Sequence, residues 1–424
     1  TTGKTCSICA KPAGTRPVAA EYNGAIKLFD TSVHLAEFET SLFKQENINI
    51  TNAADNQPGS SGILSRPDQA WTHGDKKLLI IQVNFTDVTS NPTAGSYPGA
   101  PTVDENAIVD LITNASNGTA QFFQKSSFNK TDVLIAPTVF RDSPDVTSVL
   151  LMPQTASSYA LAGDNSLLHS DARTLATNAG FNLANYDRIG VIFPFIGKTI
   201  IPGSQIDYGG LANVTGKNWW INGNYNLDVV IHELGHTYGL PHSNLWVVTD
   251  GNPISAAGSS LEYGDTFDVM GDGNSLAEDF SHFNKSLLQW IPDTAVPVAS
   301  ASGTFRIYRF DDAVGADLTK ARALKIVRDS TYDYWIGYRR ASPNASLDGG
   351  AYVLRAMTSN DSADLLDMTT PGNSLTDAGL AIGATFADTA AGVSFTPTAQ
   401  GGSGDDEWLD VQVTFASQIK WLDD

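Results

Sequence analysis

At 424 residues the chain exceeds one ordinary domain and fits two or three, and 42% apolar residues are enough for real cores. Its 26 basic against 46 acidic residues leave a net charge of −20, which argues against a nucleic-acid partner and suits a secreted protein in a saline or calcium-bearing medium, though solubility alone would explain it. No apolar run reaches bilayer length, so no membrane span is expected, and two cysteines, Cys6 and Cys9, cannot make a disulfide scaffold.

Thr1 is not a methionine and no signal-like apolar stretch follows it, so the numbering is expected to start at a processed or artificially defined end. The Cys-Ser-Ile-Cys run at 6–9 leaves three readings open: a short local disulfide, a free terminal pair, or a thiolate that caps a metal in a latent form. Residues 1–75 read as a propeptide remnant or accessory region, with a strand at 24–29 and an Asn-, Gly-, Ser- and Pro-rich loop at 52–67. Residues 77–85 are a near-continuous apolar run of strand length. A helical pattern follows at 104–115. A strand at 132–140 carries Pro137, which suggests an edge or a bulge. Residues 156–179 read as one helix with Leu161, Leu167, Leu168 and Leu175 on one side, and 188–195 as the next central strand. Strands alternating with long helices are an α/β arrangement. Trp219 and Trp220 lie in a glycine-rich stretch, either at a cleft rim or packed beneath the next helix.

That helix carries His232-Glu-Leu-Gly-His-Thr-Tyr-Gly-Leu-Pro-His242. Asn226 is the expected N-cap, with Asp228 in the first turn. Leu227, Val230, Ile231, Leu234 and Tyr238 keep helical spacing and should face the core. Residues i and i+4 share a helix face, so His232 and His236 can grip one metal ion. Glu233, one residue along, is set beside the metal, where it can take a proton from a metal-held water. Gly239 is the expected terminator, Pro241 prevents the helix from resuming, and His242 can return as a third nitrogen. Three protein ligands plus water is the arrangement of one catalytic Zn²⁺. Chance agreement at five fixed positions is on the order of 10⁻⁴ for a chain this long. Gly235 in mid-helix costs on the order of 1 kcal/mol against alanine, which suggests close approach of another backbone.

Downstream, residues 262–271 run Glu-Tyr-Gly-Asp-Thr-Phe-Asp-Val-Met-Gly. With the histidine motif, this segment resembles the metzincin metallopeptidases, whose long zinc motif is followed by a methionine turn. Within that clan it is most similar to the gametolysin family, strongly over 224–273 and more loosely back to about 76 and forward through 281–292. The resemblance implies Met270 as the methionine-turn residue, a hydrophobic floor rather than a ligand. Met270 is followed by Gly271-Asp272-Gly273, with no tyrosine two residues on. Some metzincins carry a tyrosine there that assists the transition state, so this chain must use another donor or none.

Glu262, Asp265, Asp268 and Asp272 crowd this turn as hydrogen-bonded or solvated residues, with Ca²⁺ as the alternative reading. A helix over 275–290 should close the domain, with Phe280, Phe283, Leu287 and Leu288 inward and His282 off that stripe. His34, His73, His169 and His282 are expected to play no part at the metal. Beyond Pro292, short β-type runs separated by turn signals read as a β-sandwich of 296–424. The expected fold is an α/β (α+β) metzincin-like catalytic domain at 76–295, with a twisted mixed sheet and a zinc helix, followed by this all-β sandwich-like domain.

The function expected is a secreted, monomeric zinc endopeptidase acting on extracellular proteins or glycoproteins. The alternative is a metzincin-like adhesion or matrix- and glycan-binding protein acting mainly through its β-domain. An intact ligand set together with Glu233 argues against that alternative. A metal hydrolase acting on other bonds is a third reading, separated only by a substrate screen.

Overall fold

The computed structural model describes the strands at 18–22 and 25–29, then residues 66–88, 105–136, 143–223, 225–271, 278–311, 313–340, 347, 349–358, 360–370 and 375–416. Cys6, Cys9, His34, Asp272 and Pro137 lie outside the described residues. Residues 1–51 and 52–424 form two compact units. In the first, β1 (Val18–Tyr22) pairs antiparallel with β2 (Ala25–Phe29).

The second unit begins with a short turn of helix, α1 (Gln69–Thr72), and the long strand β3 (Gly74–Asn84). Leu78 to Ile81 of β3 are wholly buried, as expected of a continuous apolar run covered on both faces. Helices α2 (Glu105–Thr113) and α3 (Thr119–Ser126) lead to β4 (Thr131–Leu134) and the short β5 (Leu150–Leu151). The single helix expected over 156–179 is two, α4 (Ala156–Ala162) and α5 (Asn165–Asn178). Gly163 stands between them at φ +63°, and the Asp164 carboxylate accepts the Leu167 N–H at 2.9 Å to start α5 afresh. The break resets the helical phase. Leu161 is therefore half exposed, and the buried face of α5 is Asn165, Leu168, His169, Ala172 and Ala176.

Next come β6 (Arg188–Phe193), β7 (Gly210–Ala212) and β8 (Asn218–Asn222). The sheet order is β4-β3-β6-β8-β7, with β5 also on β3. Every pairing is parallel except β7 against β8, so an antiparallel edge strand closes a parallel sheet. Trp219 and Trp220 of β8 are buried, which puts them in the packing rather than at a cleft rim.

Helix α6 (Leu227–Tyr238) follows, then β9 (Asn244–Val247), β10 (Ser259–Leu261) and α7 (His282–Leu287). Phe280, Phe283, Leu287 and Leu288 are buried as expected, but residues 278–280 are not helical. Ser281 caps α7 by accepting the Asn284 N–H at 3.2 Å, and that cap sets the start.

The β-rich region contributes β11 (Val298–Ala299), β12 (Gly303–Tyr308), β13 (Leu324–Val327), β14 (Tyr332–Gly337), β15 (Gly350–Met357), β16 (Ala363–Leu365), β17 (Leu380–Ala381), β18 (Phe386–Asp388), β19 (Val393–Gly401) and β20 (Trp408–Phe415). Strands β12-β20-β19-β18 form one antiparallel sheet. The other runs β10-β9-β16-β15-β14-β13-β11, with β17 on β15. It therefore recruits β9 and β10 from before residue 295, the expected boundary. Strand β15 is buried on both faces: Ala351 and Val353 enter the core shared with β12, β18, β19 and β20. Tyr352, Leu354 and Ala356, on the alternate face, join the core of α6 and α7. Among the described residues no helix is long and apolar enough to cross a membrane.

Candidate metal centre

Helix α6 begins where the spacing places it. Asn226 takes the extended N-cap conformation but makes no side-chain cap bond, so the start rests on Asp228 and on packing. Val230, Ile231, Leu234 and Tyr238 are fully buried. The last turn is gripped from three sides. Phe123 stacks on Tyr238 at 5.0 Å, Trp71 Nε1 donates to the Thr237 carbonyl at 2.8 Å, and the buried Arg188 donates to Thr237 Oγ1 at 2.9 Å. Gly239 ends the helix at φ +122°, a region costly for any residue with a Cβ, and its N–H closes on the His236 carbonyl at 2.9 Å.

The return of the chain brings His242 back to the helix. One ring nitrogen from each of His232, His236 and His242 lies within 4.8 Å of the others. The other nitrogen of each ring is engaged. Nδ1 of His232 donates to the Val269 carbonyl at 2.8 Å, and Nδ1 of His236 to the Leu240 carbonyl at 2.7 Å. His242 Nδ1 meets the Glu262 carboxylate at 2.6 Å. With Nδ1 of each ring so engaged, Nε2 is the nitrogen left to face the common centre. This donor set fits a zinc ion: three imidazole nitrogens with a coordination position left open.

Glu233 follows His232 on the helix and is 5% exposed. Its carboxylate lies against Gly210 of the edge strand β7, where a Cβ would collide with Oε1. The edge strand thus passes directly over the acid.

Below the helix, residues 265–271 make a turn tied by its own carboxylates. Asp268 accepts the N–H groups of Met270 and Ser281 and the Asn284 amide, each at 2.8 Å. Asp265 accepts the Phe267 N–H at 3.0 Å and the Tyr352 hydroxyl. Burial, and next the Asp268 charge, push the Asp265 carboxyl up to about 7. The turn delivers Met270, fully buried, under α6. A Cβ on Gly235 would stand 2.5 Å from the Met270 sulfur, so the methionine turn is the close neighbour there, through its side chain rather than its backbone.

Nothing among the described residues supports the calcium reading: Asp265 and Asp268 accept hydrogen bonds within the turn, Glu262 accepts from His242, and the three histidines are the only potential metal-holding group among the described residues. His169 and His282 are buried and kept neutral, each pushed down to about 3 chiefly by desolvation, and neither belongs to the cluster. Two neighbours were not assigned to the histidine cluster from the sequence. Glu262, read there as a turn residue, holds His242. Tyr263, next to it, lays its ring 3.8 Å from that of His242, centroid to centroid.

The profile of the gametolysin peptidase M11 family matches residues 77–290, just over half of the chain. The chain belongs to the gametolysin peptidases. It is accordingly a zinc metallopeptidase, a hydrolase of peptide bonds, and the histidine cluster lies within the matched segment. No curated protein matches the sequence. Among solved structures, this gametolysin peptidase is similar to wild-type OgpA from Akkermansia muciniphila in two crystal forms. The identities are 11% and 10% and the TM-score is 0.33 for each. The matches cover 67% and 68% of this chain and 76% and 92% of the other.

Proposed function

We propose that this gametolysin peptidase is a secreted endopeptidase of metzincin type, acting on extracellular proteins or glycoproteins, with His232, His236 and His242 holding one zinc ion and Glu233 as the general base. The observation that carries the reading is the convergence of three Nε2 atoms beside a buried carboxylate under an edge strand. When bound, zinc supplies Lewis acidity that lowers the pKa of a water toward about 7 and polarises the scissile carbonyl. Glu233 takes the proton from the attacking water as it adds to the carbonyl carbon. It then hands a proton to the departing amine as the C–N bond breaks. Gly210 leaves room for that carboxylate and keeps β7 close to it. Strand β7 pairs with β8 on one side only, among the described residues, so an extended substrate can add to its other edge through backbone hydrogen bonds. Met270 is the floor of the site, filling the space beneath Gly235.

Secretion is the reading that the acidic balance suits; Asn-x-Ser/Thr sequons occur at exposed Asn117, Asn129 and Asn360, as chance alone produces in an Asn- and Thr-rich chain. Asn284, also in a sequon, is buried and bonded to Asp268, and is not a glycosylation site in the folded protein.

The test is cleavage of unfolded casein by the chain and by Glu233→Ala, with zinc counted in both. Cleavage by the wild type alone, with zinc in both, supports the assignment. Equal cleavage by the variant removes Glu233 as the base, and absence of zinc from the wild type removes the metal site.

A further inference from the structure

Met270 is followed by Gly271, Asp272 and Gly273, so no phenol reaches the site from the position just after the methionine. A different tyrosine stands there. Tyr263 adopts φ +62°, a left-handed conformation that costs a non-glycine residue on the order of 1 kcal/mol. Asn244 Oδ1 accepts the Tyr263 N–H at 3.3 Å and helps to hold this conformation. The result is a half-buried ring lying 3.8 Å from His242 and 5.9 Å from His232, with interplanar angles of 36° and 21°. The ring therefore covers two of the three histidines. A phenol held against the histidine cluster is a donor placed where negative charge develops when a carbonyl is attacked.

We propose that the Tyr263 hydroxyl donates a hydrogen bond to the oxyanion formed on the scissile carbonyl. This inference rests on the peptidase reading above. The hydroxyl keeps its proton throughout; Glu233 alone moves protons, and the bond from Tyr263 strengthens as charge builds on the carbonyl oxygen. The same turn then serves two ends: Glu262 holds His242, and its neighbour addresses the substrate.

The experiment compares wild type with Tyr263→Phe, which keeps the ring over His242 and removes only the hydroxyl. The substrate is a fluorogenic peptide built around the first bond cut in casein. A phosphinic peptide of the same sequence mimics the tetrahedral oxyanion. The expected result is a fall in kcat on the order of 10² to 10³, with KM and zinc content unchanged. Affinity for the phosphinic peptide, measured by calorimetry, should fall by a similar factor while affinity for the cleaved product peptide holds. Wild-type kcat and phosphinic affinity in Tyr263→Phe would overturn the proposal, leaving the ring as packing for His242. Loss of zinc from the variant would overturn it as well, since the hydroxyl would then serve the ligands rather than the substrate. If the zinc-loaded wild type cuts no peptide, the peptidase reading fails instead, and that outcome is separate from the other two.

Discussion

His242 is the least anchored of the three histidines by sequence, since it lies beyond the helix, and Glu262 compensates for that. A carboxylate accepting from the ring's far nitrogen fixes the tautomer and raises the basicity of the ligating one. Glu262→Ala is expected to weaken zinc binding 10- to 100-fold, and Glu262→Gln less, because an amide still accepts the bond but lacks the charge. Chelator-competition titrations would show it, with His242→Ala as the more severe reference. Affinity unchanged in Glu262→Ala would mean that the pair is incidental. His169 and His282 take no part: both are buried in packed surroundings and lie outside the cluster.

Helix α6 and the turn under it are one mechanical element, because the Met270 sulfur fills the place of a side chain at 235. Gly235→Ala gains helix propensity of about 1 kcal/mol. It also overpacks a buried contact, which typically costs 1–3 kcal/mol. A lower unfolding midpoint is expected, together with weaker zinc retention as His232 and His236 shift. A variant as stable as wild type would show that the sulfur can move aside. The same turn carries a pH signature. Asp265 has a folded pKa of about 7, above its ordinary value near 3.8. A carboxyl whose pKa is raised by folding binds its proton more tightly in the folded state. Its contribution is therefore most favourable below pH 4 and is lost as pH rises toward 7. Melting of the metal-free protein should thus fall more steeply between pH 4 and 7 in wild type than in Asp265→Asn. Parallel curves would remove Asp265 as the source.

The β-rich region does not behave as an appendage. Strands β9 and β10, which leave the metal site, are the outer strands of its larger sheet. Tyr352 of β15 donates to Asp265, and Arg339, just after β14, donates to the Phe267 carbonyl and to Glu278. Arg339 and Glu278 are both 1% exposed, and removing one partner of such a pair leaves an uncompensated buried charge. Arg339→Met is expected to cost about 3–5 kcal/mol, read as a shift in the denaturant midpoint. A chain ending at 295 should not fold to a zinc-binding form. Residues 66–416 should instead unfold in one calorimetric transition. Two separate transitions would mean that the catalytic and β-rich parts are independent after all. This packing favours buttressing over a free-standing adhesive module.

The three histidines that the structure brings together, the helix that carries two of them and its glycine stop were legible in residues 226–242, because two side chains on one helix face are a matter of spacing. The strands at 77–85 and 188–195 and the β runs after 300 were legible too, since buried strands announce themselves as apolar runs. Three features were decided only by the tertiary structure. The helix over 156–179 is two, because one glycine with positive φ outweighs a continuing periodicity. Asp265 and Asp268 serve as hydrogen-bond acceptors whose donors come from residues far along the chain, Tyr352 and Asn284 among them. Glu262 and Tyr263 gain their places at the site from the left-handed turn at 263 and from β9, which leads back into the second sheet. Local spacing records which side chains share a helix face; which distant strand or turn is brought against that face depends on packing that no single segment encodes.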